Sequence, residues 1–479
     1  MNKFSFPALF GFLFALGGCS LAPEYQPPES PVAGAWPSGA AYVRDGADSP
    51  QVADLKWRDF FANDVLQKMI QRALDNNRDL RLAALNVERA QGMYGIQRGD
   101  LFPSLAAGGG EQKQRQSRDF IQPGQSRTAS KYSVDLGLAA WELDFFGRIR
   151  SLSEQALEEY LATDEGRRGV EIALIGQVAR TYFLLAADRE NLALARSTLG
   201  GQRAAYDLIK RRFDVGMVSD LDLKRSHIPV DTARADVARY TQLAAQDLNA
   251  LVLLVGASIP EEWLPAGLET AGDLKDVAAG ISSDALLSRP DVMAAEHRLK
   301  GAYAYIGAAR AALFPRVTLT GSLGTASAEL SGLFGSHMGT WLFAPQFSLP
   351  VFDTRLWAAL RVSETEREIV LTQYEKTVQA AFREVADALA VRGTIDEQLA
   401  AQESLTATAA DTYRLAERRY NSGIEGYLSV LDAQRSHFAA QQSLVTLRFA
   451  KLAAQIQLYA ALGGGASGVS EDRVSEDRR

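Results

Sequence analysis

One cysteine and four histidines bound the covalent and metal chemistry open to this 479-residue chain. A lone Cys19 cannot form a disulfide within the chain, and no Cys/His spacing of a metal site is present. His227 and His437 recur in one context, Arg225-Ser226-His227 and Arg435-Ser436-His437, but no carboxylate or thiol at matching spacing completes a ligand set. Nucleophile motifs and phosphate-binding glycine loops are also missing, so the sequence gives no support for an enzyme. No metal and no diffusible cofactor is expected. What remains is the thiol of Cys19, which follows Leu16-Gly17-Gly18. Small residues precede it, and a free exposed thiol would be a liability unless it carried a modification.

The residues ahead of Cys19 fit that chemistry. Lys3 precedes an apolar stretch at 4–16 that is too short to span a bilayer and right for the core of a signal peptide. Leu16-Gly17-Gly18-Cys19 resembles the lipobox of bacterial lipoproteins, which implies diacylglycerol and an N-acyl chain on Cys19. The same resemblance implies an outer-membrane address, because Ser20 stands where an Asp would retain a lipoprotein at the inner membrane. Hydrophobic residues make up 47% of the chain, enough for a core, but no later run is long enough for a spanning helix. A formal charge of −7 without a Lys/Arg cluster argues against a nucleic-acid partner.

The elements around this terminus are laid out twice. Leu101-Phe102-Pro103 returns as Leu313-Phe314-Pro315, and Arg211-Arg212-Phe213-Asp214-Val215-Gly216 returns as Arg418-Arg419-Tyr420-Asn421-Ser422-Gly423. With the Arg-Ser-His pair, three matches recur in one order at a spacing of about 210 residues, the mark of a duplicated unit. In each copy helix stops at Leu-Phe-Pro, because proline lacks the donor and disfavours helix before it. Two extended segments follow. Tyr132, Val134, Leu136 and Leu138 alternate with smaller or polar residues, as do Val317, Leu319 and Leu323, and then Trp341, Phe343 and Phe347. Such alternation predicts strands with one apolar face. The aromatic residues face lipid or pack within a barrel; segments 114–130 and 328–339 read as loops.

Long helices come next, since proline is absent from 124–228 and from 351–479. Tyr374, Val378, Ala381, Val385 and Ala388 are spaced 4-3-4-3, as are Val445, Phe449, Leu452, Ile456 and Tyr459. Ile172, Ile175, Ala179, Tyr182 and Ala186 supply the first copy, and the spacing is that of heptad seams. Turns at 215–220 and 422–427 each carry a glycine suited to a helix C-cap. The expected plan is a lipoprotein signal peptide at 1–18 and a lipidated extended segment at 19–54. A first repeat at 55–256 carries a β-hairpin at 104–142, and a linker occupies 257–288. A second repeat at 289–462 carries a hairpin at 316–351, and a polar tail at 463–479 is expected to be disordered.

Four strands cannot close a barrel alone, since small barrels need about eight, and open edges are not tolerated in lipid. Several chains must therefore share one barrel; geometry permits two, three or more. At this point the chain resembles the TolC-like outer-membrane efflux channels, in their lipidated OprM-like (NodT-type) branch. Among the residues that carry the likeness are Trp141-Glu142-Leu143-Asp144-Phe145-Phe146-Gly147-Arg148, Ile306-Gly307-Ala308-Ala309-Arg310 and Leu431-Asp432-Ala433-Gln434-Arg435-Ser436. Ala73-Leu74-Asp75-Asn76-Asn77-Arg78-Asp79-Leu80 and Ala461-Leu462-Gly463-Gly464-Gly465 extend it over essentially the whole mature chain.

That resemblance implies a mainly α fold with a transmembrane β part: a homotrimer with a 12-stranded β-barrel continued by a periplasmic α-helical barrel. It implies a passive conduit for drugs or other small toxic molecules, docked to a periplasmic adaptor (membrane fusion) protein and an inner-membrane RND-type transporter, and sitting in outer-membrane lipid. By the same resemblance Leu428 and Asp432, one helical turn apart, form the gate rings, with ion pairing of Asp432 to Arg435 as the plainer role. Val215, Gly216, Ser422 and Gly423 become the tips that meet the adaptor, or simple turns. Arg211, Arg212, Arg418 and Arg419 could tie helices to acidic residues. An exit duct for secreted proteins or metal ions, or a non-conducting structural lipoprotein of the outer membrane, are the rival readings.

Overall fold

The computed structural model describes residues 20–42, 55–272, 274–275 and 282–464. The signal peptide expected at 1–18, Cys19 and residues 465–479 of the expected polar tail lie outside the described residues. The principal helices are α1 (Asp64–Asn76), α2 (Arg78–Gly99), α3 (Arg148–Asp214), α4 (Asp220–Val255), α5 (Pro290–Ala311), α6 (Thr354–Asn421) and α7 (Tyr427–Ala461). Strands β1 (Leu105–Arg115) and β2 (Thr128–Leu143) precede α3, and β3 (Arg316–Ser327) and β4 (Gly339–Ser348) precede α6. The strands thus run two residues (β1) and three residues (β2) into the segment read as loop at 114–130, and β4 stops at 348 rather than 351. α4 carries Pro229 within it, so one carbonyl of the preceding turn loses its donor. Among the described helices, α3 alone holds a stretch long and apolar enough to cross a membrane. Half of that stretch is buried within the protein, as a core helix would be.

The chain divides into two compact units, each assembled from three stretches. The first takes residues 1–28, 86–163 and 294–374. Its sheet is antiparallel in the order β1-β2-β3-β4, so the two hairpins join through β2 and β3. Register places Ala107, Leu136, Leu323 and Trp341 in one row, and Leu105, Leu138, Gly321 and Phe343 in the next. The opposite face carries Asp135, Ser322, Thr320 and Gln346 among glycine and alanine. Between Leu138 and Trp141 the register shifts, with Ala140 at φ 49° and its N–H donating to Thr320 Oγ1 at 3.2 Å. The bulge inserts one residue into β2 and so reverses its parity. Trp141 and Leu143 therefore stay on the apolar face with Leu319, Val317 and Phe347. Trp341 is 77% exposed, so this face has no cover among the described residues.

Below the sheet, Glu142 accepts from Arg148 at 2.7 Å and from Arg316 at 3.0 Å, while Phe146 stacks on Phe314 at 4.9 Å. The extended N-terminal segment is bound to α5 in the same unit. Leu21 O accepts from Arg310 at 3.3 Å, Tyr25 donates to Glu296 at 3.0 Å, and the Tyr25 ring meets Tyr303 edge-on at 5.6 Å. Gly307 makes room for this segment: a Cβ there would lie 2.8 Å from Ala22 N and from Ser151 Oγ.

The second unit takes residues 29–85, 164–293 and 375–479. Its helices bury the heptad positions. Val378, Ala381, Val385 and Ala388 are buried, as are Ile175, Ala179, Tyr182 and Ala186 and, on α7, Val445, Ile456 and Tyr459. Phe60 lies flat on Tyr459 at 4.4 Å with Phe61 edge-on beside it, and the Tyr459 hydroxyl donates to Gly464 O at 2.7 Å. Arg289 closes the C-terminus of α7 by donating to Ala461 O at 2.6 Å, and it pairs with Asp291 and Glu384. Trp36 stacks on Phe382 at 5.2 Å, which ties the N-terminal segment to α6 here.

Candidate functional site

The turns that follow α3 and α6 are built alike. Gly216 N–H donates to Phe213 O and Met217 N–H to Arg212 O, each at 2.8 Å; Gly423 N–H donates to Tyr420 O at 3.0 Å and Ile424 N–H to Arg419 O at 2.9 Å. Both are Schellman caps, in which the residue after the helix must adopt positive φ. Gly216 and Gly423 do so, at 76° and 73°. The chain then re-enters helix differently in the two copies. Ser219 and Asp222 form a capping box at the start of α4, whereas Gly426 starts α7 without a side-chain cap. Val215 and Ile424 are exposed, so the turns present apolar as well as glycine surface.

Between the turns lies a small aromatic core. Ala416, Val430 and Ala433 are buried against Tyr413, Tyr420 and Tyr427. Arg212 donates to the Tyr420 hydroxyl at 2.8 Å and lies 5.5 Å from its ring, joining the first copy's turn to the second's. Arg419 pairs with Glu425 at 2.9 Å. Of the four arginines beside the turns, then, one finds a tyrosine and another a local carboxylate. Burial, followed by Tyr420 and Tyr413, pushes the Tyr427 hydroxyl up to about 12.

Leu428 and Asp432 both lie on the face of α7 opposite Val430 and Ala433. Leu428 is 63% exposed, and Asp432 accepts from Arg435 at 2.7 Å with both side chains largely in solvent. Such an exposed pair contributes little stability, about 0–1 kcal/mol. The face offers leucine, carboxylate and guanidinium to whatever stands opposite. The repeated histidines pack on tyrosines of the partner helix: His227 on Tyr206 at 4.9 Å and His437 on Tyr413 at 6.1 Å. His227 also pairs with Asp231 at 3.1 Å. Among the described residues no group of three His, Cys, Asp or Glu could hold a metal ion.

Two carboxylates sit against each other where α3 meets α4. Burial, then hydrogen bonding and repulsion from Asp188, raise Asp247 to about 7, and burial raises Asp188 as well. An acid whose folded pKa is raised binds its proton more tightly in the native state. Its stabilisation is full below the unfolded carboxylate value of about 4 and fades as pH rises to about 7. Asp247→Asn keeps a hydrogen-bonding group without the charge. Thermal scans of this variant should lose the pH dependence between those values, with a midpoint at pH 8 raised by roughly 1–2 °C once solvent screening of the half-exposed pair is allowed for. An unchanged pH profile would refute the shared proton.

The sequence matches the outer membrane efflux protein family over residues 69–257 and 281–464. It is 47% identical over 454 residues to the toluene efflux pump outer membrane protein TtgC of Pseudomonas putida, covering 94% of each chain. The antibiotic efflux pump outer membrane protein ArpC of Pseudomonas putida is equally similar, at 47% over 454 residues and 94% of each chain. Among solved structures, the open state of the Neisseria gonorrhoeae MtrE outer membrane channel superposes with a TM-score of 0.84 at 37% identity, covering 94% of this chain and 99% of that one.

Proposed function

The chain belongs to the outer membrane efflux protein family, and from that membership we propose that three copies join their sheets into one 12-stranded barrel whose bore continues through the helical hairpins. The protein is an outer-membrane component of an efflux pump in a Gram-negative envelope, a channel and not an enzyme. The observation that carries the shared barrel is the pair of open sheet edges, and the number three comes from the family resemblance. β1 and β4 each pair on one side only, and one face of the sheet is apolar over the rows from Leu143 to Val134, with Glu111, Lys113 and Arg115 beyond it on β1. In hydrocarbon each unpaired backbone group costs several kcal/mol, so β1 of one copy must meet β4 of the next. The apolar face then meets lipid and the face with Asp135 lines the bore. The two family matches, one on each half, support the plan of two repeats at 55–256 and 289–462.

Solvents and antibiotics are the cargo that the relatives' names support. Energy comes from an inner-membrane RND-type transporter, reached through a periplasmic adaptor that docks on the turns at Val215-Gly216 and Ser422-Gly423. Three copies of the α7 face close the route, Leu428 as an apolar ring and Asp432 as an acidic one, since an apolar constriction gates by dewetting. Asp432→Ala should raise single-channel conductance about twofold or more in planar bilayers by loosening that ring; conductance equal to the parent's would remove Asp432 from the gate. Cys19 carries the lipid. Cys19→Ser should abolish labelling by radioactive palmitate yet leave trimers in the membrane, held there by the barrel; loss of the protein from the membrane would contradict this. The function as a whole is tested by deleting the gene in a strain without a redundant channel. Sensitivity to solvents, dyes and antibiotics should rise, and unchanged sensitivity to all of them would count against efflux.

A further inference from the structure

The inner face of the sheet carries one isolated charge. Asp135 stands opposite Gly108 on β1 and Gly324 on β3, and its neighbours along β2 on that face are Ser133 and Gly137. The diagonal positions hold alanine, glycine or serine as well. No basic side chain among the described residues pairs with it. The clearing is tight on one side, since a Cβ on Gly324 would fall 2.6 Å from Asp135 Cα, and open on the other, with Oδ1 overhanging Gly137 and Gly108. The remaining charges of this face stand at its ends. Glu142 and Arg316 pair with each other near the helices, and Lys131 lies four residues along β2, about 13 Å away.

We propose that Asp135 is a charge-selecting residue of the bore, one carboxylate per subunit raised from a glycine clearing to favour cationic solutes, such as protonated amines, over anionic ones. This rests on the trimeric barrel described above. Twelve strands at the usual spacing and tilt enclose a radius of about 12 Å. The screening length is about 8 Å at physiological salt and 3 Å at 1 M. Three carboxylates at that wall therefore bias most of the bore in dilute salt and little of it in concentrated salt. Asp135 differs in this from the gate carboxylate Asp432, which has Arg435 beside it.

The test is reversal potential across a KCl gradient in planar bilayers, using the full-length protein. In a Cys19→Ser background, Asp135→Cys introduces the sole thiol of the chain. At about 0.1 M salt, Asp135→Asn and Asp135→Cys should each lower the cation-to-anion permeability ratio about twofold or more, and the difference should vanish at 1 M. Reaction of the thiol with a sulfonate-bearing methanethiosulfonate should restore the parent ratio, and the trimethylammonium reagent should lower it further. Identical reversal potentials in all these forms, or a thiol unreactive toward both water-soluble reagents, overturn the proposal. An unsubstituted protein without conductance sinks the barrel reading and this proposal with it, whereas conductance with unaltered selectivity sinks this proposal alone.

Discussion

Gly324→Val should leave no oligomer that survives unheated SDS electrophoresis, and little protein in the outer-membrane fraction. A Cβ at Gly324 would lie 2.2 Å from the Val134 carbonyl oxygen and 2.6 Å from Asp135 Cα, both backbone atoms of β2. Backbone cannot swing aside as a side-chain tip can, so β2 and β3 must part where they join the two hairpins. Damage of this kind belongs with the rare substitutions that cost more than about 4 kcal/mol. Gly110→Ala is the control, because a Cβ there meets nothing within 4 Å. It should assemble like the parent, and a Gly324→Val protein that does so too would show that the strands do not approach this closely.

The next largest effect is expected from Arg289→Ala. The guanidinium is 9% exposed and donates to Ala461 O, Asp291 and Glu384. Burial alone would weaken its basicity, but Asp291 and then Glu384 hold the pKa above its ordinary value. Truncation leaves the α7 carbonyl without its donor and two carboxylates facing a cavity. Both carboxylates are nearly half exposed and can rehydrate, which places the loss at about 2–3 kcal/mol, below that of a fully buried pair. The unfolding midpoint of the purified protein should fall by roughly 2–3 °C, since about 1 kcal/mol moves a chain of this length by about 1 °C. Arg289→Lys keeps the charge but not the fork, and should recover less than half of the loss; a midpoint unchanged in both variants would make the network ornamental.

The helical seams were legible because a 3.5-residue period is a strong signal: Tyr374, Val378, Ala381, Val385 and Ala388 are all buried. In β2, parity was legible up to Leu138 and no further, while in β3 and β4 it was legible throughout. The bulge at Ala140 needs a positive φ that alanine rarely adopts, so nothing in the residue type marks it. His227 and His437 were visible as a repeat, but their purpose was not. Tyr206 and Tyr413, the rings they pack on, sit on other helices, though they recur at nearly the same offset and could have been found by it. Gly307 and Arg310 stood out only as family marks; that they cradle Ala22 and Leu21 depends on contacts far apart in sequence. Arg289 entered only as the first residue of the second repeat, because a lone arginine does not announce the carbonyl it caps.

Each compact unit collects stretches from both halves of the chain. A polypeptide emerging during export therefore has no complete module to collapse into until residue 374 has crossed. β2 must wait for β3 across a connection whose closure costs about 4–5 kcal/mol in entropy before the first rung forms. Maturation is thus late, and until then the nascent chain carries strand edges whose partners have not yet arrived.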